Sequence, residues 1–139
     1  MIHVMIADDF MLMRGIMQQV LELVPDIRVV AQADTFAAAF EACQEHQCDI
    51  IILDDYLPPY DCETAIAQLR QANVAIPILV TSMHADRNLA GRALDSSANG
   101  FFLKTELQQH FISAVRALHA GECFLSPAVA QRMRVTSTG

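Results

Sequence analysis

Short apolar runs alternate with amphipathic segments along the whole chain, and no other feature restricts the fold so strongly. The runs are rich in β-branched residues, as is typical of strands buried on both faces of a sheet. Predicted strands cover residues 2–7, 28–33, 49–53, 76–81 and 100–104. Predicted helices lie within residues 8–26, 34–46, 62–72, 86–98 and 106–121. Strands that alternate with helices in this way form a parallel sheet covered on both faces, so the sequence predicts a doubly wound α/β domain.

The helical pattern is clear in the first helix. Leu12, Ile16, Val20 and Val24 recur at helical spacing, and Pro25 ends the pattern. We expect the methionines in this part of the chain to be mostly core filler, because an unbranched thioether adapts to irregular gaps. They are Met1, Met5, Met11, Met13 and Met17.

Side chains near the helix ends predict where other helices begin. Asp34 or Thr35 is placed to cap the second helix, since either side chain can accept from a free backbone N–H group. A short last helix is predicted over residues 126–134, with Ser126 as its cap and Pro127 in its first turn. An apolar stripe of the fifth helix is predicted to cover the sheet. It consists of Leu107, Phe111, Ala114, Val115 and Leu118.

Composition and charge exclude several classes of protein. The net charge is −7, so the chain lacks the basic surface that nonspecific nucleic-acid binders carry. No apolar run reaches the length of a membrane span, and the first residues do not form a secretory signal. The four cysteines contain no CxxC pair, and we expect free thiols in a reducing cytosol. A cytoplasmic protein without membrane contact is predicted.

Polar side chains gather at the predicted carboxyl ends of the strands, where open parallel sheets bind their ligands. They are Asp8 and Asp9 at the end of strand one, Asp54 and Asp55 at the end of strand three, Thr81 and Ser82 at the end of strand four, and Lys104 and Thr105 at the end of strand five. Lys104 is the sole lysine of the chain, so a general solubilising role does not explain it. Asp8 or Asp9 could also cap the first helix, and Asp55 could be a turn residue before the prolines.

The chemistry of this set points to phosphoryl transfer. Clustered carboxylates repel one another unless a cation joins them, and an oxygen-rich set suits Mg²⁺. Because Mg²⁺ takes one or two carboxylates and completes its shell with water and phosphate oxygens, a phosphoryl group is expected beside it. A carboxylate could then attack phosphorus and form an acyl phosphate, with charge neutralised by Lys104 and a hydrogen bond from Thr81.

From Ile2 to about Arg134, the chain resembles the response-regulator receiver domains of two-component signalling. The matching segments are "IADD" after strand one, "DIIILDDYLP" at strand three, "ILVTS" at strand four and "GFFLK" at strand five. The resemblance implies a flavodoxin-like, CheY-like sheet of five strands in the order 2-1-3-4-5, with five helices and a short C-terminal linker helix. It also implies a signalling domain and not an enzyme, one that catalyses only its own phosphorylation and dephosphorylation.

The resemblance distinguishes between the two adjacent acids of strand three. Asp54 is implied to be the phosphoacceptor, because Leu57 and Pro58 follow it at the family's spacing. Asp55 would have prolines at both of those positions. The implied Mg²⁺ ligands are the side chains of Asp8, Asp9 and Asp54 and the backbone carbonyl of Tyr56.

Three further residues receive roles from the resemblance. Thr81 matches the hydroxyl that senses the phosphoryl group, and Lys104 matches the lysine of the family. Phe101 matches an aromatic switch position, so we expect Thr81 to be drawn toward the phosphoryl group and Phe101 to repack inward.

The chain also departs from the family pattern. The departures are Asp55 in place of an aliphatic residue, Cys62 and Ser97 in place of glycines, and Thr105 in place of proline. Thr105 and the segment "GECFLSP" resemble the NarL/LuxR-type subgroup, whose receivers precede a DNA-binding helix-turn-helix domain. We therefore predict a receiver domain over residues 1–121 and a linker over 122–139, leading to a DNA-binding domain absent from this chain.

The implied partners are a sensor histidine kinase, or a small phosphodonor such as acetyl phosphate, and a second copy of the chain upon activation. The dimer surface is predicted on the fourth helix, fifth strand and fifth helix, or on the first and fifth helices. DNA would be contacted only through the absent domain, to control transcription.

Three alternatives remain open at this point. A Mg²⁺-dependent aspartyl-phosphate phosphatase of similar topology usually carries a second acid two residues after the nucleophile, where this chain has Tyr56. A pseudo-receiver would bind partners without phosphorylation. A stand-alone receiver would act by protein binding.

Overall fold

A computed structural model of the chain describes residues 1–138, with side chains described for residues 1–133. The strands are β1 (Ile2–Ala7), β2 (Ile27–Ala33), β3 (Ile50–Asp54), β4 (Tyr56–Leu57), β5 (Tyr60–Asp61), β6 (Ile78–Ser82), β7 (Gly100–Leu103) and β8 (Phe124–Leu125). Within these residues, six strands form one parallel sheet in the order β2-β1-β3-β6-β7-β8. Strands β4 and β5 form a separate antiparallel hairpin.

Helices cover both faces of the sheet. They are α1 (Met11–Leu21), α2 (Phe36–Glu45), α3 (Cys62–Gln71), α4 (Arg87–Asp95), α5 (Leu107–His119) and α6 (Pro127–Thr138). A single 3-10 turn, Lys104–Glu106, precedes α5. Helices α1 and α5 pack on one face, and α2, α3, α4 and α6 pack on the other. None of the helices in the described part of the chain has the length and apolarity needed to cross a bilayer.

The predicted architecture of the main sheet is confirmed, with β8 added at its edge, and the β4–β5 hairpin forms where the sequence predicts no strand. The five predicted strands lie in the predicted order, because each is an apolar run long enough to be buried between helices. Strand β8 was not predicted, since two residues carry no readable periodicity. The Thr35 hydroxyl, and not the Asp34 carboxylate, caps α2 by accepting from the Ala38 N–H at 3.2 Å.

Only part of the apolar pattern of the first helix packs against the core, namely Val20 and, beyond the helix end, Val24. The helix begins only at Met11, and its sheet-facing residues are Met17 and Leu21, both fully buried. Leu12 and Ile16 are 64% and 40% exposed. The prediction that the methionines are core filler is correct for Met5 and Met17 but wrong for Met1 and Met11, which are exposed. Which residues of a helix face the sheet depends on the helix's rotation about its axis, and apolar spacing alone did not determine it.

The apolar stripe predicted for α5 is confirmed, because all five of its residues are buried. The last helix has a more complex start than a simple cap. The Ser126 carbonyl accepts from the N–H groups of Val129 and Ala130, but its hydroxyl accepts from the Leu103 N–H at 2.7 Å. The Ser126 N–H donates to the Phe101 carbonyl at 3.0 Å. Ser126 thus joins the start of α6 to both ends of the segment Phe101–Leu103.

Gly100 permits this close approach of β8 to β7. A Cβ atom at residue 100 would lie 2.6 Å from the Phe124 carbonyl oxygen and 2.9 Å from Leu79 Cδ1. We expect Gly100→Ala to lower the free energy of unfolding by about 1–3 kcal/mol, because a backbone atom would have to move. Gly91→Ala is the matched control. Gly91 lies within α4, and a methyl group added to it would have no neighbour within 4 Å, so alanine should stabilise the protein by about 0.5–1 kcal/mol. Urea unfolding of both variants measures the difference, and equal stabilities would contradict the packing argument.

Candidate functional site

The polar residues predicted at the strand ends meet at one rim of the sheet. Asp8 directly follows β1, Asp54 ends β3, and Thr81 lies near the end of β6. Strand β1 pairs with β3 and β3 pairs with β6, with Asp54 opposite Thr81. Lys104 lies in the 3-10 turn after β7 and not in the strand that was predicted for it.

Three carboxylates form a compact cluster at this rim. One oxygen from each of Asp8, Asp9 and Asp54 lies within 4.8 Å of the others. Asp8 is fully buried, Asp54 is 8% exposed, and Asp9 is exposed. Asp8 does not cap α1, because Phe10 is the N-cap residue and no side chain makes a capping hydrogen bond there. Its Oδ1 instead accepts from the Phe10 N–H at 2.9 Å, just before the helix. Three hard oxygen donors with an exposed side suit Mg²⁺ and the waters it retains.

Lys104 joins two of these carboxylates. Its Nζ lies 2.6 Å from Asp8 Oδ2 and 2.8 Å from Asp54 Oδ1, and its side chain is 6% exposed. Charge-assisted bonds of this length are strong in a partly dry site. The sole lysine is therefore buried within the acid cluster and is not a solvated residue at the end of a strand.

Burial and charge shift the protonation of this pair. Burial raises the pKa of Asp54 to about 6, although hydrogen bonding and charge from Lys104 lower it, while Asp8 and Asp55 add smaller raising effects. Burial would lower the pKa of Lys104, but its hydrogen bonds to Asp54 and Asp8 outweigh burial and raise it above the ordinary value. Lys104 thus stays charged. Ionisation of the buried Asp54 carboxylate costs free energy in the folded chain, and a bound divalent cation would offset that cost.

We predict that Asp54→Asn stabilises the protein at neutral pH without divalent ions, by about 1–3 kcal/mol. Above pH 6 the wild-type Asp54 is ionised in both folded and unfolded chains. Burial disfavours the ionised carboxylate only in the folded chain. As the pH falls from about 6 toward 3.8, the folded chain takes up a proton before the unfolded chain does, so the wild type regains stability. Urea unfolding at pH 7.5 and at pH 4.5 should show the advantage of the variant shrinking at the lower pH. An advantage that is absent or independent of pH would contradict the assigned burial effect.

The Thr81 hydroxyl lacks a partner at the same rim. Thr81 is fully buried, and its Oγ1 makes no hydrogen bond within the described part of the chain. A buried hydroxyl without a partner is unusual, because an unmade bond is costly. Its position opposite Asp54 in the sheet makes it a ready donor to a group added to that carboxylate.

The second acid of the pair does not belong to the cluster. Asp55 Oδ2 accepts from the Ser82 hydroxyl at 2.7 Å, and Ser82 Oγ in turn accepts from the His84 N–H at 3.0 Å. The Asp55 side chain is therefore engaged with the end of β6, whereas the Asp54 side chain is engaged with Lys104. This difference in contacts distinguishes the two acids independently of their spacing to the prolines.

The remaining predicted residues are placed as follows. Tyr56 begins the short β4 strand, and its side chain is 49% exposed. Phe101 is fully buried in the cluster that also contains Ala90 and Val129. The expectation that Phe101 repacks inward is therefore not met by this structure, in which the ring is already inside. A phenylalanine has no hydroxyl to keep it at the surface, and Val129 of α6 belongs to the same buried cluster.

Arg14 was missed by the sequence reasoning. It lies in the second turn of α1, and its Nη1 donates to the Asp8 backbone carbonyl at 2.5 Å. Its Nε is buried and makes no hydrogen bond among the described residues. The available signal was weak, namely a cation about one turn after the acid pair at the same end of the predicted helix.

Comparisons with known proteins identify a family model and several relatives. A family model described as the response regulator receiver domain matches residues 4–116. The response regulator UvrY of Escherichia coli K12 is 24% identical over 98% of this chain and 62% of its own length. The transcriptional regulatory protein DegU of Brevibacillus brevis is 27% identical over 95% of this chain and 56% of its own length. The chain thus spans about six tenths of the length of these curated relatives.

Solved structures show the same fold. A LuxR-family two-component response regulator from Aurantimonas sp. SI85-9A1 has a TM-score of 0.93 at 28% identity, covering 99% of this chain and 98% of that one. The receiver domain of NarL from Mycobacterium tuberculosis has a TM-score of 0.81 at 30% identity, covering 87% and 98%. RcsB, solved as two dimers bound to two parallel DNAs, has a TM-score of 0.86 at 23% identity, covering 94% and 66%.

Proposed function

Since the chain belongs to the response-regulator receiver family, we propose that it accepts a phosphoryl group on Asp54 in a two-component pathway. The observation that supports this proposal is the buried Lys104, which contacts both Asp8 and Asp54. A cation built into a carboxylate cluster neutralises the charge that an incoming phosphoryl group adds. The same cluster offers three acidic oxygens to a divalent ion.

The proposed reaction forms an acyl phosphate. A carboxylate oxygen of Asp54 bonds to phosphorus while the bond from phosphorus to a histidine nitrogen of the kinase, or to an oxygen of acetyl phosphate, breaks. Asp8, Asp9 and Asp54, with the Tyr56 carbonyl, would hold Mg²⁺, whose contribution when bound is to neutralise phosphoryl oxygens. Lys104 balances the remaining negative charge, and the Thr81 hydroxyl donates to the new phosphoryl group.

The test is the intact mass of the chain after incubation with acetyl phosphate. With Mg²⁺ the protein should gain the mass of one phosphoryl group, and with a chelator it should gain none. Release of inorganic phosphate from a phosphomonoester, measured in the same buffer, tests the phosphatase alternative. No gain of mass from any phosphodonor would favour a pseudo-receiver, and sustained phosphomonoester turnover would favour the phosphatase.

We propose that phosphorylation controls transcription through a DNA-binding domain that follows this chain in the full protein. The curated relatives named above are longer than this chain, and DegU is named a transcriptional regulatory protein. The histidine kinase would act on the receiver in the cytoplasm. Residues 122–139 would form the linker. The side chains of residues 134–138, and all of residue 139, lie outside the described structure.

Between the two dimer surfaces predicted from the sequence, the structure favours the one that contains α1. Strand β8 covers the edge of β7, and Val129 of α6 is fully buried beside α4, so the surface of α4, β7 and α5 is partly occupied. By contrast, α1 presents exposed apolar residues around a shallow depression. They are Met11, Leu12 and Ile16, beside Gly15 and Gln19. Such a patch is typical of an interaction surface, and we propose that a second copy covers it after phosphorylation.

Substitutions on α1 test the dimer. We expect Leu12→Glu to prevent the phosphorylated protein from dimerising while leaving phosphorylation intact, because a carboxylate would be buried at the interface. Ala67→Glu adds the same charge on an exposed position of α3 and should leave dimerisation unchanged. Sedimentation velocity before and after phosphorylation measures both. A Leu12→Glu variant that still dimerises would exclude this surface.

A further inference from the structure

Asp55 is the acid that the proposed reaction does not use, and it is held in a defined set of contacts. Its Oδ2 accepts from the Ser82 hydroxyl at 2.7 Å. Ser82 is fully buried, and its Oγ accepts from the backbone N–H of His84 at 3.0 Å. A carboxylate, a hydroxyl and an amide thus form a chain from the end of β3 to the loop of residues 83–86 between β6 and α4.

The backbone of Asp55 is also fixed at both of its polar groups. Its N–H donates to the Thr81 carbonyl at 2.9 Å, and its carbonyl accepts from the Cys62 N–H at 2.9 Å. Residue 55 is therefore anchored to β6 on one side and to the start of α3 on the other. A side chain that starts from such a fixed point can hold Ser82, and through Ser82 the loop, in one position.

We propose that Asp55 is a positioning residue that holds Ser82 and the loop of residues 83–86 in the unphosphorylated arrangement. The inference rests on the proposed function, because it concerns the step after Asp54 is phosphorylated. The buried Thr81 hydroxyl lacks an acceptor within the described residues, and a phosphoryl group on Asp54 supplies one. Movement of Thr81 toward that group pulls on its neighbour Ser82, against the hydrogen bond to Asp55. The hydrogen bond that Ser82 donates to Asp55 therefore opposes this movement of Thr81, and it lowers the population of the moved form before phosphorylation.

The held loop also faces the C-terminal helix. His84 and Arg87 lie on one side of a cleft, and Ala128 and Gln131 of α6 lie on the other. A change in the loop position therefore alters one wall of the cleft that α6 lines on the other side. The Asp55–Ser82 hydrogen bond can therefore influence the surroundings of α6, the last helix of the described chain.

Hydrogen exchange of the His84 amide in the unphosphorylated protein tests the positioning role directly. Ser82→Ala removes the acceptor of that amide, and Asp55→Ala removes the group that orients Ser82. We expect exchange to be at least about fivefold faster in both variants, the size expected for one lost hydrogen bond. Asp55→Asn is the matched control, because its amide oxygen still accepts from Ser82 while the charge is lost. It should exchange within about twofold of wild type. Unchanged exchange in Ser82→Ala, or equal exchange in Asp55→Asn and Asp55→Ala, would overturn the proposal.

The rate of phosphorylation by acetyl phosphate provides a second measurement. This rate would not change if the Asp55–Ser82 hydrogen bond only stabilised the fold. Ser82→Ala should accelerate phosphorylation several-fold when Asp55 is present and leave the rate unchanged in the Asp55→Ala background. This comparison cancels the effect of the Asp55 charge on the anionic donor. Equal acceleration in both backgrounds would overturn the proposal. If no variant is phosphorylated, the proposed function fails, and the His84 exchange alone then decides whether Asp55 holds the loop.

Discussion

Asp54→Ala is expected to abolish the gain of a phosphoryl group, whereas Asp55→Ala is expected to keep it. The two residues are adjacent and carry the same functional group, so the difference must come from their surroundings. Asp54 lies in the carboxylate cluster and contacts Lys104 at 2.8 Å. Asp55 contacts Ser82 instead, away from the sole lysine of the chain. A phosphoryl group on Asp54 would lie beside compensating positive charge, and one on Asp55 would not.

Intact mass after incubation with acetyl phosphate and Mg²⁺ measures this difference. Asp55→Ala is the matched control, because it removes one carboxylate from the same end of β3 and shows that loss of charge alone is not responsible. Fragmentation of the modified wild type should place the added group on residue 54. Phosphate retained by Asp54→Ala and lost by Asp55→Ala would show that the wrong acid was chosen.

Lys104→Ala is expected to lower the free energy of unfolding by about 3–5 kcal/mol in the absence of divalent ions, because it leaves a buried charge uncompensated. Its ammonium contacts Asp8 and Asp54, which are both largely buried. Without it, two carboxylates that share one site repel each other and lose their charge-assisted hydrogen bonds. This is a large part of the roughly 5–15 kcal/mol by which domains are typically stable.

Arg92→Ala is the control for the burial argument. Arg92 Nε lies 2.7 Å from Glu63 Oε1, about as close as the lysine contacts, but both side chains are more than a third exposed. An exposed pair of this kind contributes at most about 1 kcal/mol. Urea unfolding should separate the two variants clearly, and added Mg²⁺ should reduce the loss in Lys104→Ala by neutralising the same carboxylates. A Lys104→Ala variant as stable as Arg92→Ala would contradict the structural role of the buried contact.

The agreement between sequence and structure is greatest for the strands and for the rim. A parallel strand buried on both faces must be almost wholly apolar, so β1, β3 and β6 can be recognised in the sequence as short apolar runs. Because parallel strands end at the same edge, polar residues that follow these runs must come together. Asp8, Asp54 and Lys104 therefore could be grouped before any distance was known.

Other features could not be read in this way. Strand β8 has two residues, and its place beside β7 depends on Gly100 and on the bonds made by Ser126. The apolar spacing in α1 includes Leu12 and Ile16, which the structure leaves exposed. Apolar spacing identified the helix, but it could not determine which residues of α1 face the sheet.

By itself, the sequence determined the fold class, the strand order implied by its family resemblance, and the set of acids around one lysine. Only the tertiary structure determined which neighbour each side chain contacts. Asp54 contacts Lys104, Asp55 contacts Ser82, and Phe101 lies in the same buried cluster as Val129 of α6. The physical reason is that periodicity and burial are properties of a segment, whereas a hydrogen bond or a close contact depends on distances of a few ångström between segments far apart in the chain.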